Sequence, residues 1–85
     1  MKIANRNQIS QWFDEFKAKE YPFMLVVSDS FSLEDYPVGI RTRGEYFNWK
    51  LDKKKALQRV IECYDLSMDK EIQLNEVRTE HIPDV

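Results

Sequence analysis

Five consecutive apolar residues, Phe23-Met24-Leu25-Val26-Val27, form the longest apolar run in this chain of 85 residues. A run of this length is typical of a buried strand and is far too short to cross a membrane. A strand with no polar side must be covered on both faces. The run therefore predicts an interior strand of a sheet, with other parts of the chain packed above and below it.

The short length and the scarcity of cysteine and histidine limit the class of protein. Eighty-five residues are enough for one small domain, which we place over residues 1–85. Cys63 and His81 are the single members of their residue types, which excludes an internal disulfide and a structural Cys/His metal cluster. The residues from Met1 to Arg6 lack the apolar core of a signal peptide. We therefore expect a cytoplasmic protein with no membrane segment, metal or cofactor.

A first helix is predicted from about Gln8 to Lys19. Four apolar side chains fall on one face of it at positions i, i+3, i+4 and i+7, namely Ile9, Trp12, Phe13 and Phe16. Asn7 is the expected N-cap residue. The helix should end before Tyr21-Pro22, because the residue that precedes a proline avoids helical geometry.

The stretch from Val38 to Leu51 allows two interpretations. Val38, Ile40 and Thr42 alternate with Gly39, Arg41 and Arg43, a pattern that predicts a strand after a polar, acidic connection over residues 28–37. Gly44 breaks the pattern. It either forms a bulge in one long strand or completes a two-residue hairpin turn with Arg43. We favour the hairpin, with Glu45 to Leu51 as a third strand.

The remaining segments predict a second helix and a last strand. Asp52 is a suitable N-cap for a helix from Lys53 to Asp65, and the apolar stripe of that helix is Leu57, Val60, Ile61 and Tyr64. Glu71 to Ile82 alternates as a strand with a bulge near Asn75-Glu76. The predicted order is α-β-β-β-α-β. It describes a small α+β sandwich with an antiparallel sheet and two amphipathic helices on one face.

Charge is segregated along the chain. The segment from Arg41 to Arg59 holds seven Lys/Arg against two acids, and the segment from Val60 onward holds seven acids against two Lys/Arg. Basic and aromatic side chains together suit nucleic acid, because the cations neutralise phosphates and the rings stack on bases. The candidate nucleic-acid contacts are Arg41, Arg43, Tyr46, Trp49, Lys50, Lys53, Lys54, Lys55 and Arg59. Alternatively, the aromatic residues fill the core and the charged face is simply solvated.

The predicted order α-β-β-β-α, with Lys53-Lys54-Lys55-Ala56 at the start of its second helix, resembles the double-stranded-RNA-binding domain. In that family a Lys-Lys-x-Ala-Lys sequence at this place contacts phosphates across the RNA groove. The resemblance covers Asn7 to Leu66 and implies RNA contact by the lysines. The chain departs from the family at Leu57, where the family has a further lysine, in its acidic first loop without histidine, and in its last nineteen residues.

The acidic residues offer a different kind of site. They could face a basic protein surface, such as the groove of a nucleic-acid-processing enzyme. The candidate protein-binding residues are Asp29, Glu34, Asp35, Asp69, Glu71, Glu76 and Glu80. The alternative is that these acids only keep a small protein soluble.

No arrangement of residues in the sequence suggests catalysis. His81 has no nucleophile at a recognisable spacing, Cys63 is flanked by acids that disfavour a thiolate, and two glycines cannot make a phosphate-binding loop. We therefore expect no catalytic residues and no enzyme activity.

Two functional hypotheses stay open. The first is a small non-catalytic interaction protein, an inhibitor or regulator that docks on a protein partner through charged faces. The second is an RNA-binding module that uses residues 41–59. The abundance of Lys, Ile, Phe, Tyr and Asn beside three alanines is typical of AT-rich phage or mobile-element genes and suggests a counter-defence or antitoxin-like role. A homodimer through an edge strand is a further option.

Overall fold

The computed structural model describes residues 5–51, 57–77 and 79–85. These residues form three helices and a three-stranded antiparallel sheet of strand order β2-β1-β3. The elements in chain order are α1 (Arg6–Ala18), β1 (Phe23–Asp29), β2 (Glu34–Ile40), α2 (Arg43–Leu51), β3 (Gln58–Asp65) and α3 (Lys70–Leu74). The prediction of a small α+β domain with an antiparallel sheet is confirmed, while the order of the elements is α-β-β-α-β-α.

The central strand is the apolar run. β1 lies between β2 and β3, and Met24, Leu25, Val26 and Val27 are all fully buried. Side chains alternate across a strand, so each face of the sheet receives two of these residues. The prediction of an interior strand covered on both faces is confirmed.

One face of the sheet is covered by α1 and α3. Met24 and Val26 pack there in a layer with Ile9, Phe13, Tyr64, Leu66 and Leu74. We call this cluster the α1 layer. The predicted apolar stripe of the first helix is confirmed, since Trp12 and Phe16 also pack against it. The helix begins earlier than predicted because Asn5, not Asn7, is its N-cap and accepts a hydrogen bond from the Gln8 N–H.

The other face is covered by α2 and the last residues of the chain. Leu25 and Val27 pack there with Ile40, Tyr46 and Cys63, and Phe47, Trp49 and Ile82 lie against this cluster. We call it the α2 layer. Two helices, α1 and α3, do share one face as expected, but a third helix, α2, covers the face that the prediction left without a helix. A strand that is apolar on both sides needs a covering layer on each face, and the helices divide between them.

Helix α2 replaces the predicted third strand over residues 45–51. Residues 42–45 read Thr-Arg-Gly-Glu and form a variant of the capping box. The Glu45 N–H donates to Thr42 Oγ1 at 3.2 Å, and Glu45 Oε1 accepts at 3.2 Å from the N–H of Arg41, the residue before Thr42. Gly44 lies in the first turn of this helix, so neither the hairpin nor the bulged strand exists. Strand β2 accordingly ends at Ile40 and begins at Glu34, inside the predicted connection.

Strand β3 replaces most of the predicted second helix. The pairing of β3 with β1 shifts between Val26, which faces Glu62, and Val27, which faces Val60. Ile61 is the extra residue of this bulge. Because of the bulge, Val60 and Cys63 lie on the same face of the sheet although they are three positions apart in the sequence. A spacing of three on one face is otherwise typical of a helix. Residues 52–56, and with them Lys53, Lys54 and Lys55, lie outside the described residues.

The predicted last strand over residues 71–82 is mostly wrong. Its first part is the short helix α3, with Asp69 as N-cap accepting from the Ile72 N–H at 3.0 Å. Its final part does pair with the sheet, because the Cys63 N–H donates to Thr79 O and the His81 N–H donates to Cys63 O. The chain therefore closes against the outer edge of β3 through one isolated bridge, not a full strand.

Candidate protein-docking site

The β1–β2 hairpin ends in a turn that its own hydrogen bonds hold in shape. Asp29 Oδ1 accepts from the N–H groups of Phe31 at 2.8 Å and Ser32 at 3.2 Å, and the Leu33 N–H donates to Asp29 O at 2.8 Å. Asp29 thus organises the turn from its first residue, as aspartate does in an Asx turn. The turn projects from the end of the buried central strand.

Large apolar side chains point away from this turn. Phe31 is 83% exposed and Leu33 is 51% exposed. Leu33 also has a positive φ of 60°, a left-handed conformation that is unfavourable by about 1–2 kcal/mol for residues with a Cβ. Glycine or asparagine would fit that backbone better. An exposed leucine at this position is a candidate for contact with a partner.

A third apolar residue joins the turn from the start of β3. Leu57 O accepts hydrogen bonds from both the N–H and the hydroxyl of Ser30, each at 2.7 Å, and the Leu57 side chain is 57% exposed. We call residues 29–35 together with Leu57 the hairpin tip. The backbone that carries its three exposed apolar side chains is held by the hydrogen bonds of Asp29 within the turn and by those of Ser30 to Leu57.

The hairpin tip is negatively charged. Glu34 is exposed, while Asp29 and Asp35 are half-buried beside it. Burial raises the pKa of the neighbouring Tyr36, and the negative charge of Asp29 raises it further. Arg59 pairs with Ser28 in the sheet and is the nearby cation among the residues that the structure describes. Among the described residues, three acids and one arginine lie around the apolar side chains, and we call Asp29, Glu34 and Asp35 the acidic rim.

The other predicted acidic residues lie elsewhere. Asp69 caps α3, Glu76 Oε1 lies 2.8 Å from His81 Nε2, and Glu80 Oε1 lies 3.0 Å from Lys50 Nζ. The exposed Glu71 lies on α3, which follows the end of β3 that pairs with Phe23. That end is about 20 Å from the hairpin tip, at ~3.3 Å per residue of β1. The seven predicted acids therefore do not form one surface; Asp29, Glu34 and Asp35 lie together at the tip.

The predicted basic residues do not form one surface either. Arg41 and Arg43 follow Ile40, which pairs with Phe23, whereas Arg59 lies at the opposite end of the sheet. Lys50 is paired with Glu80. Of the predicted stacking residues, Tyr46 is only 1% exposed and donates its hydroxyl to Glu80 Oε1, and Trp49 packs half-buried against the α2 layer.

The environment of the cysteine and the arrangement of possible metal ligands can be described directly. Cys63 is buried and its Sγ donates to His81 O at 3.1 Å; burial above all raises the pKa of this thiol to about 12. Within residues 5–51, 57–77 and 79–85, no group of three or more His, Cys, Asp or Glu side chains could hold a metal ion. None of the described helices has the length and apolar character needed to cross a membrane.

The exposed apolar residues of the tip are not predicted from the sequence. Residues 28–37, with Phe31 and Leu33, are predicted only as a polar connection, and Leu57 is predicted in the apolar stripe of a helix. Two signals were available, namely the Asp-Ser-Phe-Ser sequence at 29–32, which suits an Asx turn, and the presence of large apolar residues inside a turn. Apolar residues in a turn cannot easily be buried, so they are candidates for contact with a partner.

Comparison of the chain with protein families, with curated proteins and with solved structures finds no match.

Proposed function

We propose that this protein is a small non-catalytic interaction protein, an inhibitor or regulator, which docks on a protein partner through the hairpin tip. The observation that carries the proposal is the exposure of Phe31 and Leu33 on a turn held by Asp29. Exposed aromatic residues at the centre of a rigid projection are typical of the residues that dominate protein interfaces.

The energetics of the tip favour binding. Burying a phenylalanine or leucine side chain contributes roughly 1.5–3 kcal/mol. The turn is already ordered by its hydrogen bonds and extends from a strand whose residues 24–27 are fully buried, so little conformational entropy is lost when a partner covers it. A binding role for the side chain of Leu33 would account for a leucine at this unfavourable backbone position.

The charge of the tip specifies the chemistry of the partner. An acidic rim around apolar residues is complementary to an apolar pocket that is bordered by Lys and Arg. The nucleic-acid groove of an enzyme that processes nucleic acids has such borders, so we propose this class of partner. A cytoplasmic location agrees with the reduced, buried Cys63.

The test compares Phe31→Ala with Ile72→Ala, a matched control whose side chain is 65% exposed on α3 at the other end of the sheet. Tagged protein is used to capture partners from a lysate of the native host, with and without RNase. We expect a stoichiometric protein that survives RNase, is retained by Ile72→Ala and is lost with Phe31→Ala. Loss of about 2 kcal/mol at an aromatic contact corresponds to roughly 30-fold weaker binding.

Two outcomes contradict the proposal. The first is equal capture of the same partner by wild type and Phe31→Ala. The second is that wild type captures no protein once RNase has been added.

A further inference from the structure

A second surface lies at the end of the sheet opposite to the hairpin tip, and it carries cations that lie over aromatic rings. The guanidinium carbon of Arg41 lies 4.7 Å from the centroid of the Tyr21 ring, and Arg41 Nη1 donates to Glu20 O at 3.2 Å. Glu20 has a positive φ of 65° at this turn. The ring contact and the carbonyl contact together orient the guanidinium group.

The ring beneath Arg41 is itself fixed. Tyr21 packs directly on the backbone of Gly39, where a Cβ atom would lie only 2.6 Å from the ring. Tyr21 also packs against Phe16, with 5.5 Å between the ring centroids. The guanidinium group of Arg41 therefore rests on a ring that is itself packed in place.

Two more cations lie over aromatic rings in the same region. Lys19 Nζ is 5.1 Å from the Phe16 ring, and the Arg43 guanidinium carbon is 5.3 Å from the Phe47 ring. Phe16 and Tyr21 belong to the α1 side of the sheet, and Phe47 belongs to the α2 side. The three cations thus extend around the end of the sheet from one face to the other. We call Lys19, Arg41 and Arg43 the cation cluster.

The cation cluster has no carboxylate partner among the described residues. The ion pairs among the described residues join Lys50 to Glu80, Lys70 to Asp14 and His81 to Glu76. The Glu45 carboxylate lies beside the cluster, where it accepts from the Arg41 N–H and the Thr42 hydroxyl, but it forms no ion pair with the three cations. The first N–H of α2, that of Arg43, donates to Val85 O, so the side chains and not the helix end are available to an anion.

We propose that the cation cluster binds the phosphodiester backbone of single-stranded RNA. Guanidinium groups match phosphate oxygens in geometry and charge. The cations already cover the rings of Phe16, Tyr21 and Phe47, so these rings do not stack on bases and binding should not depend on base identity. A flexible single strand can follow cations that extend around the end of a sheet, whereas a stiff duplex cannot. The site is separate from the hairpin tip and does not depend on the proposed docking function.

The experiment measures the anisotropy of a short labelled single-stranded RNA over a range of salt concentrations. Three neutralised phosphates predict a slope of log K against log salt of about −2, at roughly −0.7 per phosphate. Arg41→Gln and Arg43→Gln should each weaken binding several-fold and make the slope shallower by about 0.7. The matched control is Arg59→Gln, an exposed arginine at the other end of the sheet, which should leave binding unchanged. Arg43→Gln serves as the test if Arg41→Gln, which loses the contact with Tyr21, does not fold.

Three results would overturn the proposal: Arg41→Gln and Arg43→Gln both bind RNA as well as Arg59→Gln does; oligo-A and oligo-U differ strongly in affinity; or polyglutamate competes as well as RNA. Phe31→Ala should bind RNA like wild type. Its capture defect and the RNA defect of the arginine variants can therefore be separated.

Discussion

At the scale of single residues, the two glycines have opposite environments. Gly39 lies in β2 against the ring of Tyr21, whereas Gly44 lies in α2 with only Thr42 Oγ1, at 3.8 Å, near the position of an added Cβ. Neither glycine has a positive φ. The requirement for glycine at position 39 is therefore steric, and position 44 has no such requirement.

This contrast predicts opposite effects of the same substitution. Gly39→Ala should lower the free energy of unfolding by about 1–3 kcal/mol, because the new methyl group overlaps Tyr21 and displaces it. Gly44→Ala should raise the free energy of unfolding by up to about 1 kcal/mol, because alanine favours the helix. Urea unfolding of both variants tests the pair. A Gly39→Ala variant as stable as wild type would show that Tyr21 does not pack on this strand.

At the scale of elements, α2 depends on its cap and on tertiary packing. Four of its nine residues are Gly, Tyr, Phe and Trp, which have only low or moderate helix propensity. The helix forms because the capping box at residues 42–45 starts it and the α2 layer buries Tyr46 and the inner sides of Phe47 and Trp49.

The cap is accordingly expected to be energetically important. Thr42→Ala should lower the free energy of unfolding by about 0.5–2 kcal/mol, because the Glu45 N–H loses its acceptor. Thr42→Ser keeps the hydroxyl group and should remain close to wild type. Urea unfolding followed by far-UV circular dichroism measures both variants. Equal stability of the alanine and serine variants would contradict the role of the capping box.

At the scale of the whole molecule, the two outer edges of the sheet differ in how they are protected from pairing with another strand. The outer edge of β3 is partly covered by Thr79 to His81. The outer edge of β2 carries Pro37, which pairs with Val26 and has no N–H to offer to another strand. The homodimer through an edge strand stays a prediction, and Pro37 counts against β2 as the pairing edge.

Burial of titratable groups in both layers predicts how stability depends on pH. Burial is the main cause that raises the pKa of Cys63 from 9.0 to about 12 and that of Tyr64 from 10.0 to about 12. Between about pH 9 and pH 12 the unfolded chain therefore releases protons that the folded chain keeps, so the free energy of unfolding falls as pH rises.

Urea unfolding at a series of alkaline pH values measures this dependence. Cys63→Ala should begin to lose stability nearer pH 10, the ordinary pKa of a tyrosine such as Tyr64, because the thiol no longer contributes. A free energy of unfolding that stays constant from neutral pH to about pH 12 would contradict the burial of both groups.

Local patterns were sufficient for α1 and for β1. The stripe of Ile9, Trp12, Phe13 and Phe16 keeps the period of a helix from end to end, and an apolar run of five residues without a polar side is typical of an interior strand. These two elements were enough to predict a small α+β domain, since they require a sheet and a helix layer over it. They could not predict which segment covers the second face.

Tertiary context selected the remaining elements and the candidate sites. The bulge at Ile61 gave the apolar residues of β3 the spacing of a helix. The alternation of residues 38–43 suggested a strand that continues to Gly44, although Thr42 and Glu45 start a helix there. Both patterns fit helix and strand locally, so pairing with β1 and burial in the α2 layer selected between them. The hairpin tip and the cation cluster each combine residues distant in sequence, Leu57 with Ser30 and Arg41 with Tyr21, and only the folded chain brings such residues together.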